Sequence, residues 1–207
     1  MSRQLRGVAL EIAETLVLTL IVFLVFQTFV AQTNQVKQVS MEDTLLPGQY
    51  IVVDKLTPHF EPYQRGDIVV FTPPGQPASA TPYIKRIIGM PGDTLDLRDG
   101  HVFINGNELS EPYVYPGSVT LPLTGQSHWV LGPDQYFMLG DHREDSTDSR
   151  VFGPVSAASI IGRAWLRYWP IAALEVIQTP VYPNLSPAAA APRASPDAWR
   201  LPRARPA

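Results

Sequence analysis

The sequence contains no cysteine, so it can hold neither a disulfide nor a thiolate metal site. Charge is sparse and nearly balanced: 16 Lys and Arg against 19 Asp and Glu leave a formal net charge of −3. That balance supplies no basic field, so no nucleic-acid partner is expected. Histidine is scarce too. His59, His101, His128 and His142 show no metal-ligand spacing, and neither a metal nor a cofactor is expected. At 207 residues the chain is long enough for one compact domain with appendages.

One absence is local. From Thr15 to Val36 no residue is charged, and Leu16 to Phe26 is apolar except for Thr19. Crossing a hydrocarbon core takes roughly 20 apolar residues. Arg3, Arg6 and the α-amino group precede the run, which places the N-terminus in the cytoplasm and everything after about Ala31 outside. A cleaved signal peptide would need small residues at −3 and −1, and the best candidate, Phe29-Val30-Ala31, has a bulky Phe at −3. Glu11 and Glu14 would suit an amphipathic surface helix, but the length of the uncharged run favours an uncleaved anchor. The expected layout is a short cytoplasmic segment (1–14), an anchor with its juxtamembrane segment (15–36), an extracytoplasmic domain (37–178) and a tail (179–207).

Beyond the anchor the pattern is β. Gln49–Lys55, Asp67–Phe71, Tyr83–Ile88, Asp93–Leu97, His101–Ile104, Gln135–Leu139 and Ile160–Trp169 read as strands, separated by Gly and Pro turns. Asn105-Gly106 is a favoured hairpin turn, because both residues tolerate positive φ. Residues 73–82 and 115–127 read as loops. The fold class expected is mainly β, a barrel-like domain. From Thr179 onward lie seven of the 21 prolines, with no apolar periodicity to bury, and that tail is expected to be disordered.

Chemistry concentrates in three places. The run Gly140 to Arg150 is denser in charge and hydroxyls than a folded core requires, and it follows the apolar strand Tyr136-Phe137-Met138-Leu139. Ser40 lies nine residues past Ala31, close to the outer membrane surface. A serine hydroxyl needs a base, and no histidine has surroundings that single it out. Lys85 sits in Tyr83-Ile84-Lys85-Arg86-Ile87-Ile88, where alternation puts Tyr83, Lys85 and Ile87 on one face and Arg86 on the other. Taken alone it reads as a snorkelling edge-strand lysine. To act as a base near neutrality it must fall from about 10.4 by roughly 2–3 units, which burial can do.

Together these segments resemble the bacterial type I signal peptidases, membrane-anchored Ser/Lys proteases. Ser40-Met41-Glu42-Asp43-Thr44-Leu45 is similar to the family's serine box, and Tyr83 to Asp93 to its lysine box. Gly140 to Arg150, with Phe152-Gly153-Pro154-Val155 behind it, and Gly66 to Phe71 are similar to two further boxes in the family's order. The likeness spans about residues 10 to 170. It implies a fold of signal-peptidase type behind a single transmembrane helix, with Ser40 as nucleophile and Lys85 as general base. It further implies Ser146 as the hydroxyl that orients the lysine, and Asp148 and Arg150 as a structural ion pair. The reaction implied is removal of signal peptides from exported preproteins at the lipid bilayer, by a protein expected to be monomeric. The Ser40 backbone N–H is the natural first oxyanion donor.

The likeness has gaps. Gln38-Val39 stands where the family has small residues, Asp43 where it has proline and His142 where it has asparagine. Asp43 would oppose the fall of Lys85 if it came near. A silent relative that binds secreted proteins is therefore a second reading. A self-cleaving repressor of related Ser/Lys type would need a DNA-binding module where the anchor stands.

Overall fold

The computed structural model describes residues 3–25, 30–77, 79–183 and 185. An N-terminal helix, α1 (Arg3–Val25), precedes the strands β1 (Ala31–Gln35), β2 (Tyr50–Asp54), β3 (Ile68–Phe71), β4 (Tyr83–Gly89), β5 (Thr94–Arg98) and β6 (His101–Ile104). After these come β7 (Asn107–Glu108), β8 (His128–Val130), β9 (Gln135–Leu139), the single-turn helix α2 (Ser149–Phe152), β10 (Val155–Ser156), β11 (Ile160–Trp169) and β12 (Glu175–Val176).

The strands form two antiparallel sheets. The larger runs β1-β2-β11-β3-β4-β9-β10, with β12 also on β11; the smaller runs β7-β6-β5-β8. The mainly β expectation holds, but the larger sheet stays open, ending at β1 and β10. The ten-residue β11 serves β2, β3 and β12, and its register shifts three times along the way. Such shifts bend a strand and sharpen its twist, which lets one long strand face several neighbours.

Local chemistry explains the elements. β3 is Ile-Val-Val-Phe, every residue buried, as an unbroken apolar run in a covered strand should be. β5 alternates half-buried and buried positions instead. At the β6–β7 turn Asn105 and Gly106 have φ of 52° and 83°, the left-handed pair a two-residue hairpin needs.

Two expectations change. The first concerns the anchor expected with its juxtamembrane segment over 15–36: the helical residues belong to α1 (Arg3–Val25), residues 26–29 lie outside the described residues, and residues 31–35 are β1, paired along its length with β2. Among the described residues no helix is long and apolar enough to cross a membrane.

The other change concerns the tail, whose first part packs. Just before it, Ile177 of the domain lies against the core cluster of Val36, Met41, Leu45, Ile51 and Val53. Tyr182 and Leu185 lie against that of the smaller sheet, and Thr179 Oγ1 donates to Asp67 Oδ1 at 2.7 Å. Burial here comes from isolated anchor side chains on a proline-stiffened segment, which has less conformational freedom to lose. Periodicity cannot reveal such anchors. The rest of 179–207, Asn184 and everything after Leu185, lies outside the described residues.

Candidate active site

Ser40 sits in a tight turn after β1. The turn is fixed because its neighbours are core residues: Val36, Met41 and Leu45 are buried together with Ile51, Val53 and Ile68. Backbone bonds from Glu42 N–H to the Val39 carbonyl and from Leu45 N–H to the Met41 carbonyl close it. Among the described residues the Ser40 N–H donates to no backbone carbonyl, which leaves it available to an incoming oxyanion.

Lys85 lies in β4, opposite Val69 of β3. It is only 1% exposed, and its Nζ stands 2.7 Å from Ser40 Oγ and donates to the Ile84 carbonyl at 3.0 Å. The Tyr83 ring centroid is 5.5 Å away, on the same face as alternation requires. Burial brings the lysine down from 10.5 to about 8; Asp148 and then Asp141 pull the other way, and Arg150 adds to the fall. Desolvation wins because each of those carboxylates is itself matched by a guanidinium.

The matching is visible in the bonds. Arg86, on the opposite face of β4, donates to Asp141 from Nε at 2.9 Å and from Nη2 at 2.6 Å. Thr44, four residues after Ser40, donates to the same carboxylate at 2.5 Å. Asp148 takes Arg150 Nε and Nη2, both at 2.8 Å, caps α2 by accepting the Arg150 N–H, and accepts the Gly140 N–H at 3.1 Å. All four of these charged side chains are almost fully buried. The expected Asp148–Arg150 pair is therefore present. The Arg86–Asp141 pair is not predicted by the sequence: alternation sends Arg86 across the sheet but does not name its partner.

Ser146 differs from expectation. It is buried beside Ser40, but among the described residues its hydroxyl has no hydrogen-bond partner and does not reach Lys85. Gly140 separates the two serines. A Cβ on Gly140 would stand 2.5 Å from the Ser40 carbonyl oxygen and would also overlap the Ser146 side chain. Gly140→Ala should therefore push the Ser40 and Ser146 segments apart. The expected result is a loss of about 1–3 kcal/mol in urea unfolding, with activity falling by more than the stability loss alone explains; full activity would contradict this packing.

The departures from the family's boxes are also placed. Asp43 is exposed and is not among the charges acting on Lys85. His142 stacks on Tyr115, with ring centroids 4.1 Å apart, and stands 3.4 Å from both Glu42 and Asp145. Its backbone N–H donates to the Ser40 carbonyl at 3.1 Å. Gln38 and Val39 are both exposed at the rim. A hydroxyl touching a buried, depressed lysine, with a free N–H on the serine, is an arrangement suited to acyl transfer.

Comparison with known proteins agrees in kind. A family model described as "Signal peptidase, peptidase S26" matches residues 9–169. A signal peptidase I from Leptolyngbya laminosa is 36% identical over 172 residues, covering 78% of this chain and 80% of that one. Signal peptidase I P from Bacillus subtilis subsp. natto is 37% identical over 147 residues, covering 68% and 77%. The solved structure of a signal peptidase I from Enterococcus faecalis V583 is 36% identical, covering 50% of this chain and 97% of that one at a TM-score of 0.41.

Proposed function

The chain belongs to the signal peptidase family, peptidase S26, a family of serine peptidases, and from that premise we propose that Ser40 and Lys85 remove signal peptides from exported preproteins by acyl transfer. The observation that carries the residue assignment is the 2.7 Å approach of a buried lysine to the Ser40 hydroxyl.

In the neutral form that burial favours, Nζ accepts the proton of Ser40 Oγ as that oxygen attacks the scissile carbonyl. The oxyanion meets the Ser40 N–H. The tetrahedral intermediate then expels the amine of the mature protein, which takes its proton from the Lys85 ammonium. Water, giving a proton to the same amine, attacks the ester, and the Lys85 ammonium returns that proton to Ser40 Oγ as it leaves, freeing the signal peptide's new C-terminus. Each step returns the lysine to the state the next step needs.

The same reading seats α1 and the apolar residues after it in the bilayer, with the N-terminus cytoplasmic and the β domain outside. Large apolar side chains of α1 such as Leu10, Leu16, Leu18 and Val22 are all more than half exposed, so the folded domain does not cover them. Thr15 and Thr19 turn their hydroxyls back onto the Glu11 and Thr15 carbonyls at 2.8 Å, which satisfies them inside the helix. A monomer acting on preproteins at the lipid surface, without nucleic acid, completes the proposal. The silent-relative reading gains no support from Asp43, which points into solvent.

The test is cleavage of a precursor with Ala-x-Ala before its processing site by the detergent-solubilised chain. Product should begin after the second Ala. With the lysine depressed to about 8, kcat/KM should rise from neutral pH and level off above that value, because only the free amine is a base. Ser40→Ala should show no product; activity surviving in that variant would remove Ser40 from the mechanism.

A further inference from the structure

Residues 177–183 and 185 take no part in the reaction above, yet Ile177, Tyr182 and Leu185 are partly buried against core clusters. Ile177 N–H donates to the Trp165 carbonyl at 2.9 Å, and Thr179 is tied to Asp67. Pro180 and Tyr182 close over Gly66 so tightly that a Cβ there would stand 2.9 Å from Pro180 Cδ and 3.1 Å from Tyr182 Oη. The Tyr182 hydroxyl ends the strap by donating to Tyr113 Oη at 2.9 Å. Burial raises Tyr182 to about 12, so it stays a neutral phenol.

Two chains of contact lead from that bond to the dyad. In one, the Tyr113 ring lies 4.0 Å from the Arg86 guanidinium, which donates to the Gly66 carbonyl at 2.8 Å and holds Asp141. Arg86 adjoins Lys85 in β4. In the other, Tyr113 Oη donates to Glu111 at 3.0 Å, Glu111 takes two bonds from Arg143 at 2.5 and 3.0 Å, and Arg143 Nε donates to the Gly140 carbonyl at 2.9 Å. Gly140 is the spacer packed against the Ser40 carbonyl. The strap therefore reaches both halves of the dyad through partly buried Tyr113 and Glu111 and the fully buried Arg86 and Arg143.

We propose that Tyr182 is a positioning residue for peptide cleavage: through Tyr113 it fixes the Arg86–Asp141 pair beside Lys85 and the Glu111–Arg143 link beside Ser40. The proposal rests on the reading of Ser40 and Lys85 as nucleophile and base. Its physical content is that the hydroxyl, not merely the ring, sets the geometry. A looser Arg86 also leaves Asp141 less compensated, and an uncompensated carboxylate favours the ammonium of Lys85.

The experiment uses the full-length, detergent-solubilised chain and the Ala-x-Ala precursor, with Tyr182→Phe, Tyr113→Phe, the double variant and Lys85→Ala. Both kcat and KM are measured from neutral to alkaline pH, and thermal unfolding alongside. Tyr182→Phe should lower kcat about three- to tenfold with KM changed less than about twofold, and should move the acid limb to higher pH. The double variant should lose no more than the worse single one, because both remove the same link. If Tyr182→Phe keeps kcat and the acid limb while only its melting temperature falls, or if the two losses multiply, Tyr182 is structural and the proposal is overturned. Wild-type cleavage by Lys85→Ala would instead overturn the dyad reading itself.

Discussion

Replacing Lys85 with methionine is expected to abolish cleavage and, at neutral pH, to make the protein more stable. Without the amine nothing accepts the Ser40 proton, and the loss in kcat/KM should reach about 10³-fold or more. The stability gain follows from where the lysine titrates. Unfolded, it takes up its proton near 10.5; folded, near 8. Below pH 8 both states are protonated and the folded state bears the whole cost of the buried ammonium, roughly 3 kcal/mol at 1.36 kcal/mol per unit. Between 8 and 10.5 the unfolded state binds more protons, so wild-type stability rises with pH there.

Methionine fills similar space without charge. It gives up the bond to the Ile84 carbonyl and leaves the Ser40 hydroxyl without Nζ, at about 1 kcal/mol each. A net gain of about 1–2 kcal/mol at pH 7 remains, shrinking as pH rises toward 10.5. Urea unfolding of both proteins across that range is the check. A Lys85→Met variant less stable than wild type at pH 7, or a gain that does not narrow with pH, would mean that burial is not what depresses the lysine. The predicted trade is that of a site strained for function and held in shape by the rest of the fold.

That holding structure was only partly legible in the sequence. The strands with strong patterns were found within a residue or two, because periodicity is a local property. Lys85 stood out for the same reason, as one charge inside an apolar strand, and alternation correctly sent Arg86 across the sheet. β1 was hidden. Ala-Gln-Thr-Asn-Gln has no strand pattern and becomes one only through its pairing with β2. The two-residue strands β7, β10 and β12 carry too few positions to show any period. Arg143 and Glu111 are 32 residues apart and meet only in the folded chain. Ser146 is expected to orient Lys85, yet its hydroxyl has no hydrogen-bond partner among the described residues, because no sequence feature fixes the direction of a hydroxyl.

Arg150→Met and Asp148→Asn should move the acid limb of kcat/KM in opposite directions. Asp148 favours the Lys85 ammonium and Arg150 disfavours it. Removing Arg150 leaves the carboxylate unopposed, so the lysine should rise and the limb shift to higher pH. Neutralising Asp148 leaves the guanidinium unopposed, and the limb should shift to lower pH. Stability should separate the two as well. In Arg150→Met a fully buried carboxylate keeps, among the described residues, only the Gly140 and backbone 150 N–H groups, and a loss of about 3–5 kcal/mol is expected. Asparagine at 148 still caps α2, and Arg150 retains the Arg143 carbonyl at 2.5 Å, so that variant should lose less. pH–rate profiles and urea unfolding of the two variants give both readings. Limbs that move together, or not at all, would mean that the pair holds the loop without being felt at Lys85. Opposite shifts would mean that a buried ion pair serves the reaction by cancelling its own field, which leaves desolvation to set the base.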